Sequence, residues 1–135
     1  MKRLFVIFFV TVLTSCGTSL EPPKSNTDYK NIIGKPVKIG NLEIAQYDFP
    51  NILNWVDANK ACEELGNGWR LPSAQELDYL YQNTVVIGSF MKDYYWSSTM
   101  DGFEMAWAQD FKDIDGISIS SAKVEKFHVR AVRSF

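Results

Sequence analysis

The side chains in this chain that could carry chemistry are two thiols, one imidazole, a pair of closely spaced carboxylates and a cluster of aromatics beside hydroxyls. Cys16 closes the sequence Leu13-Thr14-Ser15-Cys16, directly after an apolar run from Leu4 to Leu13 that follows Lys2 and Arg3. The charged start holds the cytoplasmic side, the apolar run partitions into a bilayer, and the small Thr14 and Ser15 fit a signal peptidase cleft just before the thiol. The run is too short to span permanently, which takes about 20 apolar residues. Cys62 is the only other cysteine. On the apolar face of a predicted helix it behaves as a small buried hydrophobe, not as a nucleophile. His128 is the sole histidine, with no triad motif around it and no second imidazole for zinc. Asp113-Ile114-Asp115-Gly116 lacks the further acidic ligands and late bidentate Glu of a calcium loop, and it reads as a hairpin turn. No metal, cofactor or catalytic set is expected, and the chain is not read as an enzyme.

The N-terminal stretch resembles the signal of bacterial lipoproteins. That resemblance implies cleavage before Cys16, a thioether to diacylglycerol, and usually an added N-acyl chain. Several chains on one residue anchor durably where one chain is marginal. The expected membrane partner is therefore reached through lipid on Cys16. The residue after Cys16 is Gly17 and not Asp, which resembles an outer-membrane sorting pattern. The expected location is the cell envelope, at the outer membrane or cell surface in preference to the inner membrane.

Losing residues 1–15 removes Lys2 and Arg3, so 12 of the 14 basic side chains remain against 16 acidic ones and the formal charge moves from −2 to −4. Such a balance does not attract nucleic acid. About 120 residues are left, enough for one domain with a real core. With Cys16 committed to lipid, Cys62 has no partner for a disulfide although the compartment is oxidising. Packing must hold the fold, and an aromatic content of 14% supplies large buried area.

Residues 16–31 are small and polar with a Pro22-Pro23 step, a tether that holds the domain off the membrane. The folded domain is expected over 32–135. Val37 to Ile39 and Leu42 to Tyr47 read as strands joined at Gly40-Asn41, and Pro50-Asn51 breaks the extended run. Asn54 caps a helix from Trp55 to Leu65, whose Trp55, Ala58, Ala61, Cys62 and Leu65 share an arc, with Gly66 as its stop. Ser73-Ala74-Gln75-Glu76 is a capping box opening a second helix, in which Leu77, Leu80 and Tyr81 share a face. Strands are expected at Tyr94 to Ser98, Phe103 to Ala108, Ile117 to Ser120 and Phe127 to Arg133. Two helices early and an antiparallel sheet late define an α+β domain.

The ordered series Trp55, Ala58, Ala61-Cys62, Gly68-Trp69-Arg70-Leu71-Pro72-Ser73, Glu76-Leu77, Tyr95-Trp96-Ser97-Ser98, Ala106-Trp107 and Val129-Arg130-Ala131-Val132-Arg133 resembles a bacterial family. It is similar to the C-terminal domain of the Legionella collagen-like protein and the related major paralogous domain of Fibrobacter, over about residues 32–135. The resemblance implies a C-type-lectin-like fold, in the superfamily that also holds formylglycine-generating enzymes. Members bind polysaccharides, glycosaminoglycan-like polymers or proteins at cell surfaces. The Glu-Pro-Asn or Gln-Pro-Asp loop of calcium-dependent lectins does not occur here, and Trp96-Ser97-Ser98 stands in the Trp-Asn-Asp place. The cysteine pair of the formylglycine-generating enzymes is also missing.

Within that resemblance, Trp69, Arg70, Pro72, Glu76 and Trp96 are expected to be structural. Pro72 turns the chain into the second helix, and Arg70 pairs with Glu76 or caps strand carbonyls. Trp96 suits a core strand, while Tyr94 and Tyr95 beside it are expected to be more exposed. Aromatic faces bury the apolar surface of a sugar ring, and neighbouring hydroxyls meet its equatorial groups. Tyr94, Tyr95 and Asp101 are therefore the candidate ligand-binding residues. The expected function is a lipid-anchored, non-catalytic binding module for a glycan, a cell-wall polymer or an envelope protein. The alternative is a structural lipoprotein that assembles with an envelope complex and takes no small ligand.

Overall fold

The computed structural model describes residues 30–135; the signal over 1–15, Cys16 and the tether through residue 29 lie outside the described residues. Gly40-Asn41 does reverse the chain: β1 (Val37–Ile39) and β2 (Leu42–Ile44) pair antiparallel with Ile39 opposite Leu42. β2 is shorter than its alternating sequence suggests because its backbone changes partner. Ala45 donates to the Ala131 carbonyl, and Gln46 and Tyr47 donate to Ile33 and Ile32 of a short helix, α1 (Lys30–Ile33). That helix takes the last two residues read as tether, since Ile32 is buried in the core.

Asn54 caps α2 (Trp55–Glu64), its side chain accepting from the Asp57 N–H, and the chain leaves past Gly66 at φ +71. The left-handed conformation favours glycine there. Ser73 and Glu76 form the expected reciprocal capping box of α3 (Ala74–Gln82). A four-residue helix, α4 (Thr84–Ile87), which the sequence pattern did not show, follows at once and buries Ile87.

β3 (Tyr94–Met100), β4 (Met105–Asp110) and β5 (Ser118–Ala122) make one antiparallel sheet in that order. Trp96 lies opposite Ala108 and Ala108 opposite Ile119. Because side chains alternate along a strand, these residues share one face, which packs with Ala58, Ala61 and Cys62 of α2. Tyr95 belongs to the other face, which packs with Leu77 and Leu80 of α3 and with Phe111. The sheet is therefore held between two helices, and its two faces end up with different uses.

Two strand expectations change. Phe103 is not in a strand: Asp101 donates to the Met105 carbonyl at 2.8 Å, which closes a turn over 101–104 and leaves Phe103 92% exposed. The final strand is confined to β6 (Val132–Ser134), which pairs with β2 and puts β2 at the centre of a second three-stranded sheet. Residues 127–131 stay irregular because they cross between sheets. Phe127 bridges to Leu53, His128 to Tyr95, and the Val129 and Ala131 carbonyls accept from Phe49 and Ala45. The turn at Asp113 to Gly116 forms as expected. It rests on Tyr81, whose hydroxyl donates to the Asp113 carbonyl at 2.5 Å, and a Cβ on Gly116 would run into that ring.

Candidate functional site

The motif residues that are far apart in sequence meet inside the molecule. Arg70 and Val132 exchange two backbone hydrogen bonds of 2.9 Å, Ser98 donates to the Pro72 carbonyl at 2.8 Å, and Trp96 donates to the His128 carbonyl at 3.1 Å. The Arg70 fork reaches Glu76 through two bonds of 2.7 and 2.8 Å, and the Ser73 N–H donates to the same carboxylate. Arg70 holds the Glu76 carboxyl below its usual range, against the opposing effect of partial burial. Arg133 lies over the Trp69 ring, 4.9 Å from its centre, and pairs with Glu43. Trp69, Pro72 and Trp96 are buried. These residues act as a staple between the two sheets and the start of α3.

Arg130 extends the staple inward. It is 1% exposed, binds Asp48 through Nε at 2.5 Å, donates to the Ser89 carbonyl at 2.7 Å and covers Phe90. Sequence reading placed it in a strand without assigning this role. A buried arginine needs a distant partner such as Asp48, and no local spacing reveals one.

This arrangement corrects one candidate. Tyr95 is 0% exposed, its hydroxyl donating to Asp48 at 2.5 Å and accepting from the Met91 N–H at 2.7 Å. Burial, with the Asp48 charge beside it, pushes the phenol pKa up. The ring points to the α3 side of the sheet and closes the second core cluster, so no sugar can stack on it. Tyr94 is half-buried, with Phe127 against its ring and the Lys112 ammonium 4.6 Å from its centre. Lys112 also pairs with Asp93 at 3.2 Å. Asp101 is exposed at the 101–104 turn. The structure therefore does not bring Tyr94, Tyr95 and Asp101 together: one lies in the core, one at each end of β3.

An open cleft lies elsewhere on the α3 side of the sheet. About 640 Å³ in volume, it runs between the start of α3 and the strands, lined by Ser73, Ala74, Gln75, Asp78, Thr99, Trp107 and Ser118. Trp107 is half-buried and faces the cleft. Trp55 and Trp96 commit their indole N–H groups to the carbonyls of Ser97 and Leu53, each at 2.8 Å. The Trp107 indole N–H has no partner among the described residues. Thr99 Oγ1 accepts from the Ala74 N–H at 2.9 Å, which ties the rim of the sheet to the helix. Sequence reading quoted Ala106-Trp107 as a motif without making it a site. Alternation sets Trp107 on the face opposite Ala106 and Ala108, but that face also buries Tyr95 and Gln109, so no signal in the sequence showed that it opens at Trp107.

Among the described residues, no three His, Cys, Asp or Glu side chains converge as metal ligands. Cys62 is fully buried, and burial pushes its thiol pKa up, so it is no nucleophile at neutral pH.

The fold is that of a C-type-lectin-like α+β domain. Botrocetin shares the fold at 14% sequence identity and a TM-score of 0.55, over 76% of this chain and 98% of that one. EMS16, an antagonist of the collagen receptor integrin α2β1, shares it at 10% identity and a TM-score of 0.57, over 74% and 97%. The family model of the Lcl C-terminal domain matches residues 25–133, and the chain belongs to that family. The match begins before the domain start expected at residue 32. A comparison with curated proteins gives no match.

Proposed function

We propose that the protein is a lipid-anchored binding module of the bacterial cell envelope that holds a glycan, cell-wall polymer or envelope protein and performs no chemistry on it. The observation that carries this reading is the cleft at Trp107. It presents an aromatic face and uncommitted polar groups to solvent, while Arg70, Glu76, Arg130, Asp48, Arg133 and Glu43 are tied into pairs that hold the fold. Family membership supports a binding role, and the Leu13-Thr14-Ser15-Cys16 sequence supports the anchor.

The test has two parts. Mass analysis of the mature N-terminus from cells is expected to show diacylglyceryl Cys16 in the membrane fraction; an unmodified thiol there removes the anchor. Cross-linking in intact cells followed by mass spectrometry is expected to capture an envelope polymer or protein on the sheet face that carries Trp107. Capture of nothing by either route overturns the binding reading.

A protein ligand is favoured by a second observation. Phe103, in the turn between β3 and β4, and Val124, in the turn after β5, are 92% and 79% exposed, and EMS16 itself is an antagonist of a protein receptor. Isolated exposed apolar residues are common on soluble domains, so this reading ranks second.

A further inference from the structure

We infer that the Trp107 cleft is a saccharide subsite for a pyranose without acidic substituents, and that an ammonium group on the sugar favours binding. The inference rests on the binding-module reading and names the ligand of its site.

The first argument is shape and surface. A volume of about 640 Å³ lies within the roughly 300–1,000 Å³ range of small-molecule sites. Trp107 supplies a flat apolar face suited to the C–H surface of a sugar ring. Its indole N–H is free to donate to a ring substituent. Ser120, directly opposite Trp107 in the strand register, has a buried hydroxyl with no hydrogen-bond partner among the described residues. A buried hydroxyl left unpaired is costly, but Ser120 does not line the cleft, so the ligand contacts rest on Trp107 and the polar groups at the rim.

The second argument is polarity. The Gln75 amide has no partner among the described residues. Asp78 engages only Oδ2, which accepts from Gln82 at 2.8 Å. Thr99 Oγ1 accepts a bond from Ala74 and keeps its own proton to donate. An amide, a carboxylate and a hydroxyl around an indole meet the mixed donors and acceptors of a sugar.

The third argument is charge. No lysine, arginine or histidine lines the cleft, and Asp78 does. A helix N-terminus ordinarily attracts anions, but here its donors are largely spent. The N–H groups of Ser73, Ala74 and Glu76 go to Glu76, Thr99 and Ser73. A sulfated or carboxylated polymer would meet a carboxylate with no compensating cation, whereas an ammonium on the sugar would be favoured.

The test uses the full chain in zwitterionic detergent, with tryptophan emission and equilibrium dialysis as readouts. The probes are chitotetraose, its de-N-acetylated tetramer and a heparin tetrasaccharide. Both amino-sugar tetramers are expected to bind in the roughly micromolar to millimolar range and heparin to bind at least about tenfold more weakly. Trp107→Ala is expected to weaken the tetramers by about tenfold or more, and Gln75→Ala, which disturbs no contact of the fold, by about threefold. Asp78→Asn should weaken the free amino tetramer more than the N-acetylated one. Heparin binding as tightly as the tetramers, or tetramer binding unmoved by Gln75→Ala and Trp107→Ala, overturns the inference while leaving a binding module in place. If no probe binds at roughly 10 mM and cells yield a cross-linked envelope partner, the saccharide subsite falls and the module stands. If neither occurs, both fall.

Discussion

Trp96 and Trp107 lie on opposite faces of one sheet, and they show two ways of using an indole. Trp96 is fully buried among Ala58, Ala61 and Cys62 of the helix side, with its N–H committed to Leu53. Trp107 stands at an open cleft with its N–H uncommitted. Most of the residues that make the family recognisable in sequence belong with Trp96, and Trp107 is the exception. They tie Gly68 to Ser73, Tyr95 to Ser98 and Val129 to Arg133 into one staple, and a staple leaves little for a ligand. Such a signature reports mostly how the chain folds; Ser73 and Trp107 are the members of it that reach the cleft, where Gln75, Asp78 and Thr99 from outside it join them.

The largest expected effect comes from the centre of the staple. Arg130→Ala leaves Asp48 almost buried without its cation and strips a donor from the Ser89 carbonyl. It is expected to cost about 3–5 kcal/mol, read by chemical denaturation. Pairing Arg130→Met with Asp48→Asn should recover a substantial part of that loss, since no charge is then left alone. Failure of the double variant to recover anything would mean that packing, not the ion pair, carries the cost.

The two tryptophans give the next contrast. Trp96→Ala is expected to cost about 3–5 kcal/mol, and Trp107→Ala roughly 1–2 kcal/mol, because a half-buried ring has less area to lose. Equal losses would abolish the distinction between the two faces. Ligand affinity should show the reverse order.

Glu76 probes the edge of the staple that adjoins the cleft. Its folded pKa lies below its unfolded value, so the folded state binds fewer protons in that window. The associated stability is complete above about pH 4.5, where the unfolded group is also ionised, and it is lost as pH falls through the depressed value. Glu76→Gln should cost about 1–2 kcal/mol at neutral pH through the weakened cap and Arg70 pair. It should also flatten the fall in denaturation midpoint between about pH 5 and pH 3. An unchanged acid profile would remove Glu76 as its source. Smallest of all is the expected signal at Cys62: maleimide should leave it unmodified in the native chain and label it on unfolding, as peptide mass analysis would show. Native labelling would place the thiol outside the core.

Much of this organisation was legible in the residues. Asn54 and the Ser73–Glu76 box mark both helix starts because capping is local chemistry. The Arg70–Glu76 pair was one of the two roles that the same short segment offered Arg70, and the structure selects it. The final strand was overextended because alternation continues from Phe127 to Arg133, while the backbone there exchanges partners between two sheets. Tyr95 was misjudged because its neighbour Trp96 was given the core, yet both faces of this sheet are covered by helices. An aromatic next to a buried one is exposed only when one face of the sheet is open.

The sequence by itself determined the α+β class, the capped helices and the family, because each follows from local pattern or composition. Tertiary structure alone decided that Arg130 meets Asp48, that Tyr95 is sealed, and that Trp107, Gln75 and Asp78 border one cleft. Those facts depend on contacts between residues far apart in the chain, which periodicity cannot encode.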